Sequence, residues 1–269
     1  MLTEKKLFCK RTFALMIFSA LVCAPSLSAP TTINGVWQAN PQTENRAALH
    51  YYGCGLRLFR VAKMKDAVEQ FDEAIKLDPK CAEFYYKRGD ALLELDRLDE
   101  AYKDFTKAIQ LEPAHYFAYK RRGRLEFERG KLDASLKDFQ TAVSVCQSKA
   151  EKADILKFVA KIHASMKKHD LAIADLTQAL TTTRDTHALM LRGNQYLAVG
   201  EYQKAVVDYT EALSHNLPQF QDRLYMMRAQ AYEKVGRFDL AKLDKKKAKD
   251  IVNDSWGGVL QDLDKHSKP

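Results

Sequence analysis

Residues 89–113 read GDALLELDRLDEAYKDFTKAIQLEP. Gly89, Ala101 and Ala108 stand 12 and then 7 residues apart, and these three small-residue slots recur six times along the chain. Gly55, Gly89, Gly123, Ala160, Gly193 and Ala229 fill the first. Ala67, Ala101, Ser135, Ala172, Ala205 and Ala241 fill the second, and Ala74, Ala108, Ala142, Ala179, Ala212 and Ala248 the third. Units are separated by steps of 34, 34, 37, 33 and 36 residues at all three slots, so added residues lie between units and never inside them. A fixed period of this length marks a stacked repeat protein.

Each unit carries two stripes at helical spacing. Phe84, Tyr85, Leu92 and Leu95 make one; Leu98, Tyr102, Phe105 and Ile109 make the other. Charged residues fill the opposite faces. Asp78-Pro79 and Glu112-Pro113 end second helices, because a residue before proline is pushed out of the α region. Small residues recur where two backbones must approach closely. No unit can bury its stripe alone, so the units must stack.

The pattern resembles the tetratricopeptide repeat (TPR) family. That family places an aromatic or Leu at slot 4, a small residue at slot 8, Ala at 20, an aromatic at 24, Ala at 27 and Pro at 32. Tyr85, Gly89, Ala101, Phe105, Ala108 and Pro113 fill these slots in the second unit, and Tyr51, Gly55, Ala67, Phe71, Ala74 and Pro79 in the first. The resemblance implies an all-α fold, a right-handed TPR solenoid of about six helix-turn-helix repeats. They begin near 48, 82, 116, 153, 186 and 222, and the array spans residues 47–252.

The first 28 residues have another character. Lys5, Lys6, Lys10 and Arg11 precede an apolar run from Thr12 to Ala24, and small residues follow. This is the layout of a secretory signal peptide, and the run is too short to span a bilayer. Residues before Cys23 (Ala20, Leu21, Val22) do not give the order expected for lipidation. The chain is expected to be exported, to the periplasm or the extracellular space, with no membrane span once the leader is removed. Residues 29–46 read as a flexible linker and 253–269 as a C-terminal tail, with Ser255-Trp256-Gly257-Gly258 breaking the last helix. Without the leader the net charge falls from +8 to +5, too little to indicate nucleic acid. Cys54, Cys81 and Cys146 remain, an odd count and no disulfide framework; Cys54 reads as a small buried apolar residue at a packing slot.

Motifs for chemistry are missing. The chain has no HExxH, CxxC, GxSxG or Gly-rich phosphate loop. Acidic residues read as solvated helix faces paired at i,i+4. No catalytic residue, metal or cofactor is assigned, and the chain is read as a non-enzyme. His163 and His169 occupy slots 11 and 17 of repeat four, where apolar residues prevail. Two histidines are too few for a closed zinc site; the plainer reading is a wetter, looser core that opens first. Repeat three lacks its terminal Pro and carries Glu126 at slot 11, so either its second helix runs long or the array bends between 146 and 153. In repeat six Lys245 takes the aromatic slot within a lysine run, read as a polar cap on the end of the stack or, alternatively, as a basic patch.

At about 100° per residue, slots 2, 5, 9 and 12 of the first helix point away from the core stripe. In the resembled family this face lines the concave groove. The candidate partner-binding residues on it are Tyr52, Phe59, Tyr86, Phe117, Lys120, Arg124, Phe127, Lys157, Lys161 and Asn194. The face is aromatic at its start and cationic in the middle, which suits acidic peptide segments. It does not reproduce the family's carboxylate clamp: Arg124 and Phe158 stand where two Asn would be. The expected function is a non-catalytic scaffold or adaptor that binds protein or peptide partners. The alternatives are an accessory or regulatory subunit of an exported enzyme and an enzyme in its own right. Nothing in the sequence sets the oligomeric state.

Overall fold

The computed structural model describes residues 43–266, with side chains through Asn253. The expected leader, most of the linker and the last three residues lie outside the described residues. Twelve helices and no strand are present among the described residues. They fall into two compact units, one ending at Leu111 and one beginning at Glu112. The first holds α1 (Arg46–Arg60), α2 (Met64–Leu77), α3 (Ala82–Glu94) and α4 (Leu98–Leu111). The second holds α5 (Tyr116–Glu128), α6 (Leu132–Val145), α7 (Lys149–Ser165), α8 (His169–Leu180), α9 (Thr186–Ala198), α10 (Tyr202–Ser214), α11 (Pro218–Lys234) and α12 (Phe238–His266). Consecutive helices pair as six hairpins, one per repeat, and hairpins stack within each unit.

The turn inside each hairpin is set by one residue. Slot 15 has a positive φ in all six repeats: Ala62, Asp96, Gly130, Lys167, Gly200 and Gly236, between 57° and 82°. The backbone amide of the next residue then reaches back to the first helix, as Lys63 N–H does to Leu58 C=O and Lys131 N–H to Glu126 C=O. Three repeats carry glycine here and three accept the cost of a side chain in the left-handed region.

Across each hairpin the slot-8 residue meets the slot-24 side chain. A Cβ on Gly55 would lie 2.5 Å from the Phe71 ring, on Gly89 2.7 Å from Phe105, and on Gly193 2.6 Å from Tyr209. The rings cover the glycine backbone directly. Repeats four and six have Ala160 and Ala229 instead, and there slot 24 is Leu176 and Lys245. Methyl and ring exclude one another, so the two positions vary together.

A second constraint joins the same helices by charge. Arg88 grips Asp104 with Nε and a terminal nitrogen at 2.7 and 2.6 Å. Arg122–Asp138, Arg192–Asp208 and Arg228–Asp244 repeat this bidentate grip at the same 16-residue spacing. The third nitrogen reaches the preceding hairpin: Arg88 to Asp72, Arg192 to Thr177 and Arg228 to Thr210. One guanidinium thus closes its own hairpin and ties it to the one before. Burial pushes the carboxyls of Asp104 and Asp208 up, against the pull of their arginines. These acids are therefore buried clamps, and the sequence reading of the acidic residues as solvated i,i+4 pairs fails for them.

Two other expectations are corrected. The helix of repeat three does not run long: α6 stops at Val145, and the extra residues lead into α7, capped by the Ser148 hydroxyl. Repeats three and four share an apolar cluster of Phe139, Ala142, Cys146, Ile155, Val159 and Ile162. Residues 255–258 do not break the last helix, which runs to His266. Each glycine costs a helix only about 1 kcal/mol, too little to end it. Cys54 is buried, as expected. Cys81 and Cys146 are buried free thiols.

The exclusion between ring and methyl gives a sign test. Gly89→Ala should destabilise the array by roughly 1 kcal/mol, overpacking outweighing the helix propensity gained. In a Phe105→Leu background the same substitution should stabilise. Urea unfolding of the four chains reads the reversal.

Candidate functional site

In the first unit the expected aromatic surface is mostly interior. Tyr52 and Tyr86 are 6% and 5% exposed. The Tyr52 hydroxyl donates to Glu83 Oε1 at 3.0 Å, and its ring packs 5.2 Å from that of Phe84. Burial, and then the charge of Glu83, drive its phenol pKa far up. Tyr86 lies against Phe105, with Lys87 over its ring. A partner cannot reach either ring as an anchor. Phe59 is half-buried near the end of α1.

In the second unit the four expected cations separate into two kinds. Lys120 on α5 lies 3.4 Å from Glu151 and 3.8 Å from Asp154. Lys157 bridges Asp154 at 2.8 Å and Asp185, the acid that also caps α9. Burial works to lower the Lys157 pKa, but its two carboxylate partners outweigh that and raise it. Both lysines therefore join hairpins of this unit and are already neutralised. Arg124 and Lys161 are exposed. Arg124 Nε meets Glu128 across one helical turn at 3.1 Å, an exposed pair of small worth. Lys161 Nζ sits 5.0 Å from the centre of the Phe127 ring.

Arg124, Phe127 and Lys161 line a cavity of about 190 Å³ between α5 and α7, completed by Glu128, Phe139, Phe158 and Ile162. Its wall is a stacked pair: the Phe139 and Phe158 rings lie 5.3 Å apart and 4° from parallel. Slots 9 and 12 of adjacent repeats supply the cations and one ring, which sequence reasoning found. Phe139 and Phe158 were missed as pocket wall. The first reads as a core ring, and the second, at slot 6, was noticed only for displacing an Asn.

The remaining expected residues lie apart from this cavity. Phe117 is half-buried against Tyr116, ring centres 4.0 Å apart. Asn194 accepts a hydrogen bond from the Tyr209 hydroxyl at 2.7 Å, a hairpin contact. The two histidines singled out in sequence have separate partners. His163 meets Asp175 at 2.6 Å and His169 meets Gln195 at 2.9 Å. His163 is 7% exposed, so its surroundings are tight rather than wet. Lys245 is held by Glu233 across its own hairpin at 2.5 Å. Among the described residues no group of three or more His, Cys, Asp or Glu could hold a metal ion, and no helix is long and apolar enough to cross a membrane.

Comparison with known proteins is consistent with this geometry. Residues 52–116 match the family model described as tetratricopeptide repeat. No curated protein sequence matches the chain. Among solved structures, pilF of Pseudomonas aeruginosa is similar at 15% identity, covering 82% of this chain and 98% of that one, with a TM-score of 0.64. PilW, described as a widely conserved type IV pilus biogenesis factor, is similar at 16% identity over 76% of this chain and 92% of its own, TM-score 0.63. YrrB, described as a TPR protein with an unusual peptide-binding site, is similar at 18% identity over 68% and 93%, TM-score 0.59.

The two kinds of cation should separate experimentally. Lys157→Glu places a third acid beside Asp154 and Asp185 and should cost about 3 kcal/mol of stability, as breaking a partly buried pair does. Lys161→Glu should stay within about 0.5 kcal/mol of the parent, as exposed positions do. Thermal unfolding of the two variants checks this.

Proposed function

The chain belongs to the tetratricopeptide repeat family, and from that premise we propose that it is a non-catalytic scaffold whose second unit binds acidic segments of other polypeptides. The observation that carries this reading is the cavity between α5 and α7. It has aromatic walls and two exposed cations on its lining, while Lys120 and Lys157 are tied up in structural pairs. Phe127, Phe139 and Phe158 offer apolar contact to a side chain, and Arg124 and Lys161 offer charge-assisted bonds to a carboxylate beside it. A cavity open to solvent and lacking any cluster of perturbed acids and bases suits binding better than turnover. That YrrB, with the same fold, is described as having a peptide-binding site adds support of a general kind. The layout of residues 1–28 supports a site of action outside the cytoplasm, where the chain would serve as an adaptor in an exported assembly.

Arg124→Glu with Lys161→Glu should weaken binding of a fluorescent peptide carrying Phe between Glu residues by tenfold or more, with the unfolding midpoint essentially kept. Fluorescence anisotropy at low salt reads the loss. Equal affinity of parent and variant would remove the cavity from the function.

A further inference from the structure

Slots 21, 24 and 28 of a second helix form the face on which the next hairpin stacks. In repeat three they are Leu136, Phe139 and Val143, gathered with Ile155 and Val159 of α7. In repeat five they are Val206, Tyr209 and Leu213, gathered with Leu224 of α11. Repeats one, two and four are also apolar or aromatic at all three slots. Repeat six has Lys242, Lys245 and Lys249 there. Steps of three and four residues keep the lysines on one stripe of α12. Phe238, a turn before Lys242, and Val252, a turn after Lys249, extend the stripe at its two ends, 68% and 42% exposed. Lys245 is held by Glu233, whereas Lys242 and Lys249 make no ion pair with any described residue. α12 continues as helix to His266, so the residues after Val252 are carried along its axis and do not turn back over the stripe.

We propose that this stripe docks an acidic amphipathic helix of another polypeptide, in the place that the first helix of a seventh hairpin would occupy. The dimensions agree. The stripe is about 21 Å long at 1.5 Å per residue, and the first helices of repeats two, three and five, with 13 residues each, span about 20 Å. Lys242 and Lys249 stand two turns apart, so carboxylates at i and i+7 of an incoming helix reach both, and apolar residues one turn outside those acids meet Phe238 and Val252. The acids of α12 do not compete for the lysines. Asp244 is bound to Arg228, and Asp239 and Asp250 lie about 100° or more around the helix from the stripe. Lys247 is turned to the other flank, over the Tyr225 ring.

Other occupants fit less well. Polar capping of the stack accounts for the lysines but not for a phenyl ring left bare at the head of their stripe. A lipid surface takes up a continuous apolar face, and here three cations separate the two apolar residues. A second copy stacked end to end would bring α1 against the lysines, and α1 carries Arg46, Arg57 and Arg60 with no acid. The stripe shares no residue with the cavity between α5 and α7, so this docking goes beyond the function proposed above and does not depend on it.

The test uses the full chain and a fluorescent, Ala-rich helical peptide of about 18 residues with Glu at i, i+3 and i+7 and Leu one turn outside each end. Its control has the same composition with the acids spread around the helix. Anisotropy at low salt should show the ordered peptide binding about tenfold tighter than the control, with Lys242→Glu plus Lys249→Glu removing the preference. The milder pair Lys242→Gln plus Lys249→Gln should lower affinity in the same direction, and Phe238→Ala should weaken it severalfold. Arg124→Glu with Lys161→Glu should bind this peptide as the parent does, even where it fails to bind the Phe–Glu peptide. Equal affinity for the two helical peptides overturns the proposal, as does full binding by a folded lysine variant. Binding lost in the cavity variant and kept in the lysine variants also overturns it and assigns the peptide to the cavity. Two further results overturn it in favour of another occupant: lysine-dependent binding of phosphatidylglycerol vesicles with no peptide preference, or a parental dimer in sedimentation that Lys242→Glu plus Lys249→Glu dissolves.

Discussion

Backbone against ring is the contact on which this architecture rests. At Gly55, Gly89 and Gly193 an aromatic side chain lies where a Cβ would otherwise be, at 2.5–2.7 Å from its ideal position. Interiors are close-packed and such a ring has nowhere to move, so the two helices of a hairpin have one permitted separation. That separation brings slot 7 and slot 23 within reach of each other. The bidentate Arg–Asp grip holds the same spacing independently of the ring, since repeat six keeps it with Ala229 and Lys245 in slots 8 and 24, and its lengths of 2.6–2.9 Å vary little from repeat to repeat. It also explains where the chain tolerates insertion. Added residues between slots 7 and 24 would break both contacts at once, whereas residues before α7 only lengthen that helix.

The clamps carry a cost that the apolar contacts do not. Asp104, Asp138, Asp208 and Asp244 are all at most 6% exposed, and taking a carboxylate out of water is expensive unless its partner is well placed. Two parallel bonds from a rigid guanidinium meet that requirement. In repeat four His163 meets Asp175 with a single bond. Repeat four is thus the place where the bidentate grip has been exchanged for a single contact, in the hairpin that also supplies one wall of the cavity.

Sequence periodicity was enough to place all six hairpins, because the small-residue slots, the rings and the helix stops each recur at fixed spacing. The Arg–Asp spacing of 16 recurs just as regularly, yet it was overlooked: helix faces are habitually read at three and four residues, and 16 crosses from one helix to the next. Tyr52 and Tyr86 were misplaced for a related reason. Helical geometry fixes the direction of a side chain from its own axis but not what the following hairpin brings up against it; here that is Phe84 for Tyr52, along with the Glu83 carboxylate. The C-terminal helix shows the limit of local propensity, since a Gly-Gly pair lowers helix stability without forbidding helix.

Charge on the exposed face obeys the same rule of reach. Asp185, the partner of Lys157, is 28 residues on, and Glu151, the partner of Lys120, 31 residues on, roughly one repeat in each case. A cation whose acid stands one repeat away is spent on stacking. Arg124 has only an acid on its own helix, and Lys161 has a ring from the neighbouring hairpin. Neither contact holds two hairpins together by charge, so both cations can turn toward a ligand without loosening the stack. The distinction between structural and available charge lies in the register between repeats, and a count of basic residues along the groove erases it.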